Sequence, residues 1–147
     1  MRYIGFDRED AAEMWARKKL GLVNPPEFFR AMSAVDADGQ FVCVVVLTNF
    51  SMYNIDVNIA METKKMRPKE TVNMFNAVFT FIFEQLNMRR ATGLTGGNKV
   101  KARKAIEQFG FKQEGVMRKA LKDGEDLVVY GILADEYKNH NWYRPCL

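Results

Sequence analysis

Between Lys69 and Met88 the chain carries Val72, Met74, Phe75, Val78, Phe79, Phe81, Ile82, Phe83 and Leu86, more apolar positions than one stripe of a helix can hold. A helix with that pattern has to be covered on two sides. One cover is a sheet, reached through Phe75, Phe79, Ile82 and Leu86; the other is either the terminal segment or a second copy of the chain. At 147 residues the chain is long enough for one domain with such a core. No repeat, low-complexity stretch or linker divides it, so residues 1–147 read as a single domain with an aromatic tail at 138–147.

Around this helix the apolar period changes to two. Phe41 to Leu47 is a continuous apolar run, a strand buried on both faces. Ala31 to Asp36 precedes it across the turn Ala37-Asp38-Gly39-Gln40. Tyr53 to Glu62 alternates, with Ile55, Val57, Ile59 and Met61 on one face and Asp56, Asn58, Ala60 and Glu62 on the other. Arg2 to Gly5 is a short first strand. Asp7 and Asp10 signal the start of a helix to about Leu20 with Met14 and Trp15 inward, broken by Val23-Asn24-Pro25-Pro26. After the Phe-rich helix come a strand from Arg90 to Thr95, a Gly96-Gly97 turn, and a helix capped by Asn98 with the stripe Ala102, Ala105, Ile106 and Phe109. Gly110 stops that helix in a left-handed conformation. Phe111 to Arg118 and Asp126 to Leu133 are the last strands, joined through Asp123-Gly124. The expected fold class is α+β: a mixed, mostly antiparallel sheet of six to seven strands with helices on both faces.

Several chemistries are set aside by composition. The longest apolar run is too short to cross a bilayer, and Met1 leads into no signal-like segment, so a soluble cytoplasmic protein is expected. Cys43 and Cys146 follow no metal spacing and fit a reducing compartment. With His140 as the single histidine, a His-based zinc site is removed and a Ser-His triad is not expected. The net charge of +4 is concentrated in two places. Lys64, Lys65, Arg67 and Lys69 crowd the loop that opens the Phe-rich helix; Lys99, Lys101, Arg103 and Lys104 crowd the second helix. A helix start beside basic residues is an anion site, because its first amides are unpaired and its dipole end is positive. The plainer readings are an ordinary helix entry for the first cluster and a solvated face for the second.

Asn98, Gly110-Phe111, Glu114-Gly115 and Arg118, with Phe83 to Arg90 before them, resemble the GNAT acyltransferase superfamily. The similarity spans Ile55 to Glu136; it is of the ribosomal-protein N-acetyltransferase type and most like the small GNAT-like proteins of phages. It implies a GNAT fold and acetyl-CoA as cosubstrate. It also implies transfer of an acetyl group to an amine of a small molecule or of a protein, a host protein if the phage likeness holds. In that frame the start of the Phe-rich helix, with Arg67, Lys69, Glu70 and Thr71, holds the diphosphate. The amide of Met61 polarises the thioester carbonyl in a gap between the strand ending at Glu62 and the strand starting at Arg90. Asn98 meets the pantetheine arm or only caps its helix, and Lys101 and Arg103 follow it as further cofactor contacts.

The pattern also departs from the family. The two loop glycines fall at Lys69 and Thr71, where glycine's close backbone approach to phosphate is lost. Ile106 stands where many relatives place a Tyr acid, and Lys101 where others use Ser. Tyr130 is the remaining candidate acid, or a packed core tyrosine. A base is expected from Asp56, Glu62 or Asn58 through water, unless these form only the wet face of their strand. Two other readings stay open. One is an inactive module of the same fold that binds a partner protein, or a second copy, through the Phe-rich helix or the tail. The weaker is nucleic-acid handling through the second basic cluster, which lacks interleaved aromatics. No metal is expected.

Overall fold

The computed structural model describes residues 3–22 and 24–139. In chain order it contains β1 (Tyr3–Gly5), α1 (Glu9–Leu20), β2 (Arg30–Val35), β3 (Phe41–Thr48), β4 (Asn54–Met61) and, after a short 3-10 turn, α2 (Pro68–Phe79). There follow β5 (Arg90–Gly96), α3 (Val100–Gln108), β6 (Lys112–Met117), β7 (Leu127–Leu133) and α4 (Ala134–Lys138). The strands form one 7-stranded sheet in the order β1-β2-β3-β4-β5-β7-β6. All neighbours are antiparallel except β4 and β5. This is the mixed α+β sheet expected from the sequence.

β3 is buried along nearly its whole length because helices cover it from both sides. On one face α1 brings Ala12 and Ala16 against Ala31, Val44, Val46 and Ala60; small side chains on both partners let helix and sheet approach closely. Met14, expected inward, is 62% exposed. Trp15 lies only half-buried beside Phe41, with ring centroids 5.9 Å apart. Asp7 and Asp10 make no cap: the helix begins at Glu9 without a side-chain cap bond. It ends at Gly21 (φ 71), a left-handed stop upstream of the two prolines.

The other face is covered by α2 and α3. α2 continues past Phe79 as a π-wound segment from Thr80 to Gln85, closed by an amide bond from Leu86 to the Phe81 carbonyl at 2.9 Å. The wider winding lets consecutive residues Phe81, Ile82 and Phe83 all be buried. Phe81 packs on Phe6 at 4.8 Å, while Phe83 stacks on Tyr137 of α4 at 5.2 Å. That is how the excess of apolar positions is accommodated: the sheet lies under the helix and α4 closes one flank. α4 has no counterpart in the sequence reading, and residues 140–147 of the tail lie outside the described residues.

α3 is held by Phe109, whose ring stacks on Phe75 at 3.9 Å and 12°. Its end is a Schellman motif: the Gly110 amide reaches the Glu107 carbonyl at 3.1 Å and the Phe111 amide reaches Ile106 at 3.3 Å. Gly110 adopts φ 98 as expected. Two details differ. The residue before the helix is Lys99, not Asn98, and Ala102 is exposed, so the inward stripe is Ala105, Ile106 and Phe109.

The Phe75–Phe109 stack is the joint between α2 and α3. Phe75→Ala is expected to cost about 3–5 kcal/mol, read as a lower urea midpoint at unchanged slope; a loss below 1 kcal/mol would mean the two helices dock independently of it.

Candidate active site

β4 and β5 are the parallel neighbours, and they pair only over Asn54↔Arg90, Ile55↔Ala91, Asp56↔Thr92 and Val57↔Gly93. Beyond that point β4 stays with β3 as far as Met61, and β5 stays with β7 as far as Gly96. The two halves of the sheet therefore part after Val57 and Gly93, leaving a gap at the C-terminal ends of the two strands. The Glu62 amide bonds back to the Val42 carbonyl at 2.8 Å. Because successive amides of a strand alternate in direction, the N–H of Met61 points away from β3 and into the gap.

At the closed end a polar network ties the strands together. Arg90 grips Glu114 of β6 with both guanidinium nitrogens, at 2.6 and 3.2 Å. Its Nε also donates to Asn54 Oδ1 at 3.1 Å, and the Thr92 hydroxyl donates to the same oxygen at 2.7 Å. Gly131 lies directly under this fork: a Cβ there would run into both Arg90 and Glu114. The network continues to Asp56, which accepts from Asn49 Nδ2 at 2.8 Å and Asn54 Nδ2 at 3.2 Å. Asp56 is therefore engaged in the closed part of the ladder, below the point where the strands separate.

Glu62, the other carboxylate on that face, lies past the end of β4 and forms an ion pair with Lys19 of α1. The hydrogen bond from Lys19, then its charge, hold the Glu62 carboxyl below its usual range. It is therefore a weak proton acceptor, and the structure does not bring the two expected bases together. Tyr130 is fully buried, and its hydroxyl accepts from Arg103 Nε at 3.0 Å. It belongs to the core between β7 and α3 and pairs with Gly93, the last β5 residue on the β4 ladder. Arg103 also donates from Nη1 to the Gly97 carbonyl and from Nη2 to Gln113 Oε1, each at 3.1 Å. These bonds fasten the turn before α3 in place.

That turn presents Asn98, exposed, with its backbone amide bonded to Glu125 Oε1 at 3.1 Å; Lys101 is exposed one turn on. At the start of α2, Arg67 and Lys69 are exposed, and the Arg67 side chain retains 85% of its accessible surface. The helix also caps itself. Glu70 accepts from the Arg67 amide at 3.1 Å, a bond that leads the causes lowering its pKa, and Thr71 Oγ1 donates to the Arg67 carbonyl at 3.2 Å. Pro68 at the first helical position has no amide to offer. Cys43, which pairs with Met61 across β3 and β4, is buried, and burial pushes its thiol up to about 12. It is therefore no nucleophile at neutral pH. Among the described residues no cluster of His, Cys, Asp and Glu could hold a metal.

No protein-family model matches the chain, and no curated protein sequence matches it. Solved structures do. A spermidine N-acetyltransferase SpeG F149A mutant from Vibrio cholerae superposes with TM-score 0.68 at 18% identity, covering 88% of this chain and 78% of that one. The ribosomal-protein-S5-alanine acetyltransferase from Vibrio fischeri gives TM-score 0.65 at 17% identity, over 85% and 69%. The chain has the GNAT fold. This is a likeness of fold. At these identities it shows architecture alone.

Sequence reasoning missed one buried carboxylate on the α1 face of this GNAT fold, Glu13, which is 5% exposed and pairs with Arg17 at 3.2 Å. The available signal was a carboxylate flanked by Ala12 and Ala16 on the small-residue stripe of α1.

The Lys19–Glu62 pair makes a pH statement. A carboxyl with a depressed folded pKa stabilises the fold above its unfolded value of about 4.3, and that contribution fades as pH falls through the folded value. In Lys19→Met the Glu62 titration, followed by carboxyl NMR, is expected to move up toward about 4.3; an unmoved midpoint would show that the pair does not persist in solution.

Proposed function

We propose that the chain is an acetyl-CoA-dependent N-acetyltransferase. The observation that carries this is the opening of the sheet after Val57 and Gly93, with the Met61 amide turned into it and the start of α2 close behind. In this reading the diphosphate lies at the α2 start, held by exposed Arg67 and Lys69 and by the amides after Pro68. The pantetheine arm runs through the gap beside Asn98, and the acyl oxygen sits on the Met61 N–H, which stabilises the charge that develops there. A neutral amine on the α1 side of the sheet forms the new C–N bond as the C–S bond breaks. The leaving sulfur takes a proton and the amine gives one up. With Cys43 buried and protonated, the transfer is direct.

A second reading is favoured by one observation, the self-capped start of α2. With Glu70 turned onto the Arg67 amide, a carboxylate already occupies the positive end of the helix dipole, as in a module of this fold that binds a partner without turnover. A titration separates the two. Acetyl-CoA is expected to bind on the micromolar scale, with Arg67→Ala and Lys69→Ala together raising Kd about tenfold, or ~1.4 kcal/mol. Glu70→Gln keeps the capping geometry and removes the charge, so it is expected to lower Kd about twofold, ~0.5 kcal/mol. No binding to wild type or Glu70→Gln at millimolar acetyl-CoA would leave only the partner-binding reading.

A further inference from the structure

A pocket of about 370 Å³ lies on the α2 side of the sheet, between the edge strand β1, its neighbour β2, and the helix from Asn73 to Gln85. β3 separates these strands from the split pair β4 and β5, and the transferase reading makes no use of the pocket. We infer that it is a ligand site of its own, for a compact, uncharged aromatic molecule with one N–H or O–H donor, and that Asn76 receives that donor. The inference is independent of the transferase reading.

Asn76 supplies the observation that points to a ligand. It lines the pocket, and its Oδ1 is, among the described residues, the one buried side-chain nitrogen or oxygen without a hydrogen-bond partner. A carbonyl oxygen so placed costs free energy until a donor reaches it. The neighbouring polar groups do not supply one. Thr80, one turn on, has its hydroxyl 3.4 Å from the Tyr137 hydroxyl, and Asn73, one turn back, is exposed.

The walls decide the rest of the molecule. Phe6 and Phe81, with ring centroids 4.8 Å apart, and the buried Met32 form the apolar side; rings and a thioether favour an aromatic partner. No described residue that lines the pocket is charged. The Arg30 guanidinium lies over the same two rings, 4.4 and 5.4 Å from their centroids, but is bonded to Glu9 at 2.7 Å. An ion entering here would give up its water without meeting a free opposite charge; a neutral ring has no such penalty. The volume falls near the lower end of the roughly 300–1,000 Å³ usual for small-molecule sites, which leaves room for a small fused ring system.

The helix winding points the same way. Thr80, Phe81 and Gln85 of the lining belong to the π-wound segment, a rare winding that frequently accompanies functional sites. The wider turn carries Phe81 onto Phe6 while Ile82 and Phe83 stay in the core, and so builds the aromatic wall that faces the ligand.

The test is a ¹⁵N NMR titration of the full chain with indole, with 1-methylindole, which keeps the ring and lacks the donor, and with indole-3-acetate, which adds a charge. Indole is expected to shift the signals of Gly5, Thr80 and Asn76, the Asn76 side-chain amide included. 1-Methylindole is expected to bind at least tenfold more weakly, and indole-3-acetate more weakly than indole. Asn76→Leu, similar in size and without the acceptor, is expected to abolish the difference between indole and 1-methylindole. Ala77→Leu, a good helix former that extends a side chain into the pocket, is expected to abolish the indole shifts. No shifts at millimolar indole, shifts that map elsewhere, or equal binding of the three probes by wild type overturn the inference, and these hold whether or not the variants fold. A probe difference that persists in Asn76→Leu overturns it too. Indole binding that appears only after Trp142→Ala would assign the pocket to the chain's own tail and likewise overturn it.

Discussion

The architecture depends on a ladder that stops early. β4 and β5 share a parallel register over a short run that ends at Val57 and Gly93, and each then remains with its antiparallel partner. Opening the sheet there is inexpensive, because β3 and β7 continue to satisfy the outer sides of the two strands; only the inward amides of one short stretch are left unpaired. In the proposed reading one of them, the Met61 N–H, receives the acyl oxygen. What ties β4 to β5 at the closed end is Asn54, whose Oδ1 accepts from Arg90 Nε and from the Thr92 hydroxyl. Arg90 is itself held in place by a charge-assisted, bidentate contact with Glu114.

The two faces divide the labour. On one side α2 and α3, locked by stacked rings, set where the positive end of α2 lies relative to the gap. On the other, α1 covers β2, β3 and part of β4 and leaves a polar strip from Asn58 to Glu114 beside it. In the proposed transferase reading, cosubstrate and amine reach the gap from these opposite sides. This arrangement needs no covalent relay, in keeping with a thiol in β3 that burial holds protonated.

Much of this was legible in the chain. Period-two alternation located β4, the unbroken apolar run located β3, and Gly110 located the end of α3, because in each case one local requirement dominates. The excess of apolar residues in the Phe-rich helix correctly demanded two covers, but not how they would be met. A π-wound segment and a five-residue helix are set by tertiary packing of Phe6, Phe83 and Tyr137, with no local signature. The site was less legible for the same reason. Asp56 and Glu62 share a face by strand period, yet whether a carboxylate is free depends on partners that strand period does not show: Asn49 in the loop before β4 in one case, Lys19 of α1 in the other. Tyr130 shows the limit from the other side, since an inner-strand tyrosine is compatible with both catalysis and packing until its hydroxyl is seen on Arg103. Glu13 was overlooked because an acidic residue on a helix is ordinarily a solvent-facing one.

The wide turn between Thr80 and Gln85 acts as a phase adjuster. Inserting or removing one residue of an α-helix rotates everything beyond it by about 100°, and the π winding absorbs such an extra residue without passing the rotation on. Shortening that segment by a single residue would therefore let it wind as ordinary helix with Arg67, Lys69 and the helix mouth still in phase with the split strands; the loss would fall on the shared burial of Phe81, Ile82 and Phe83.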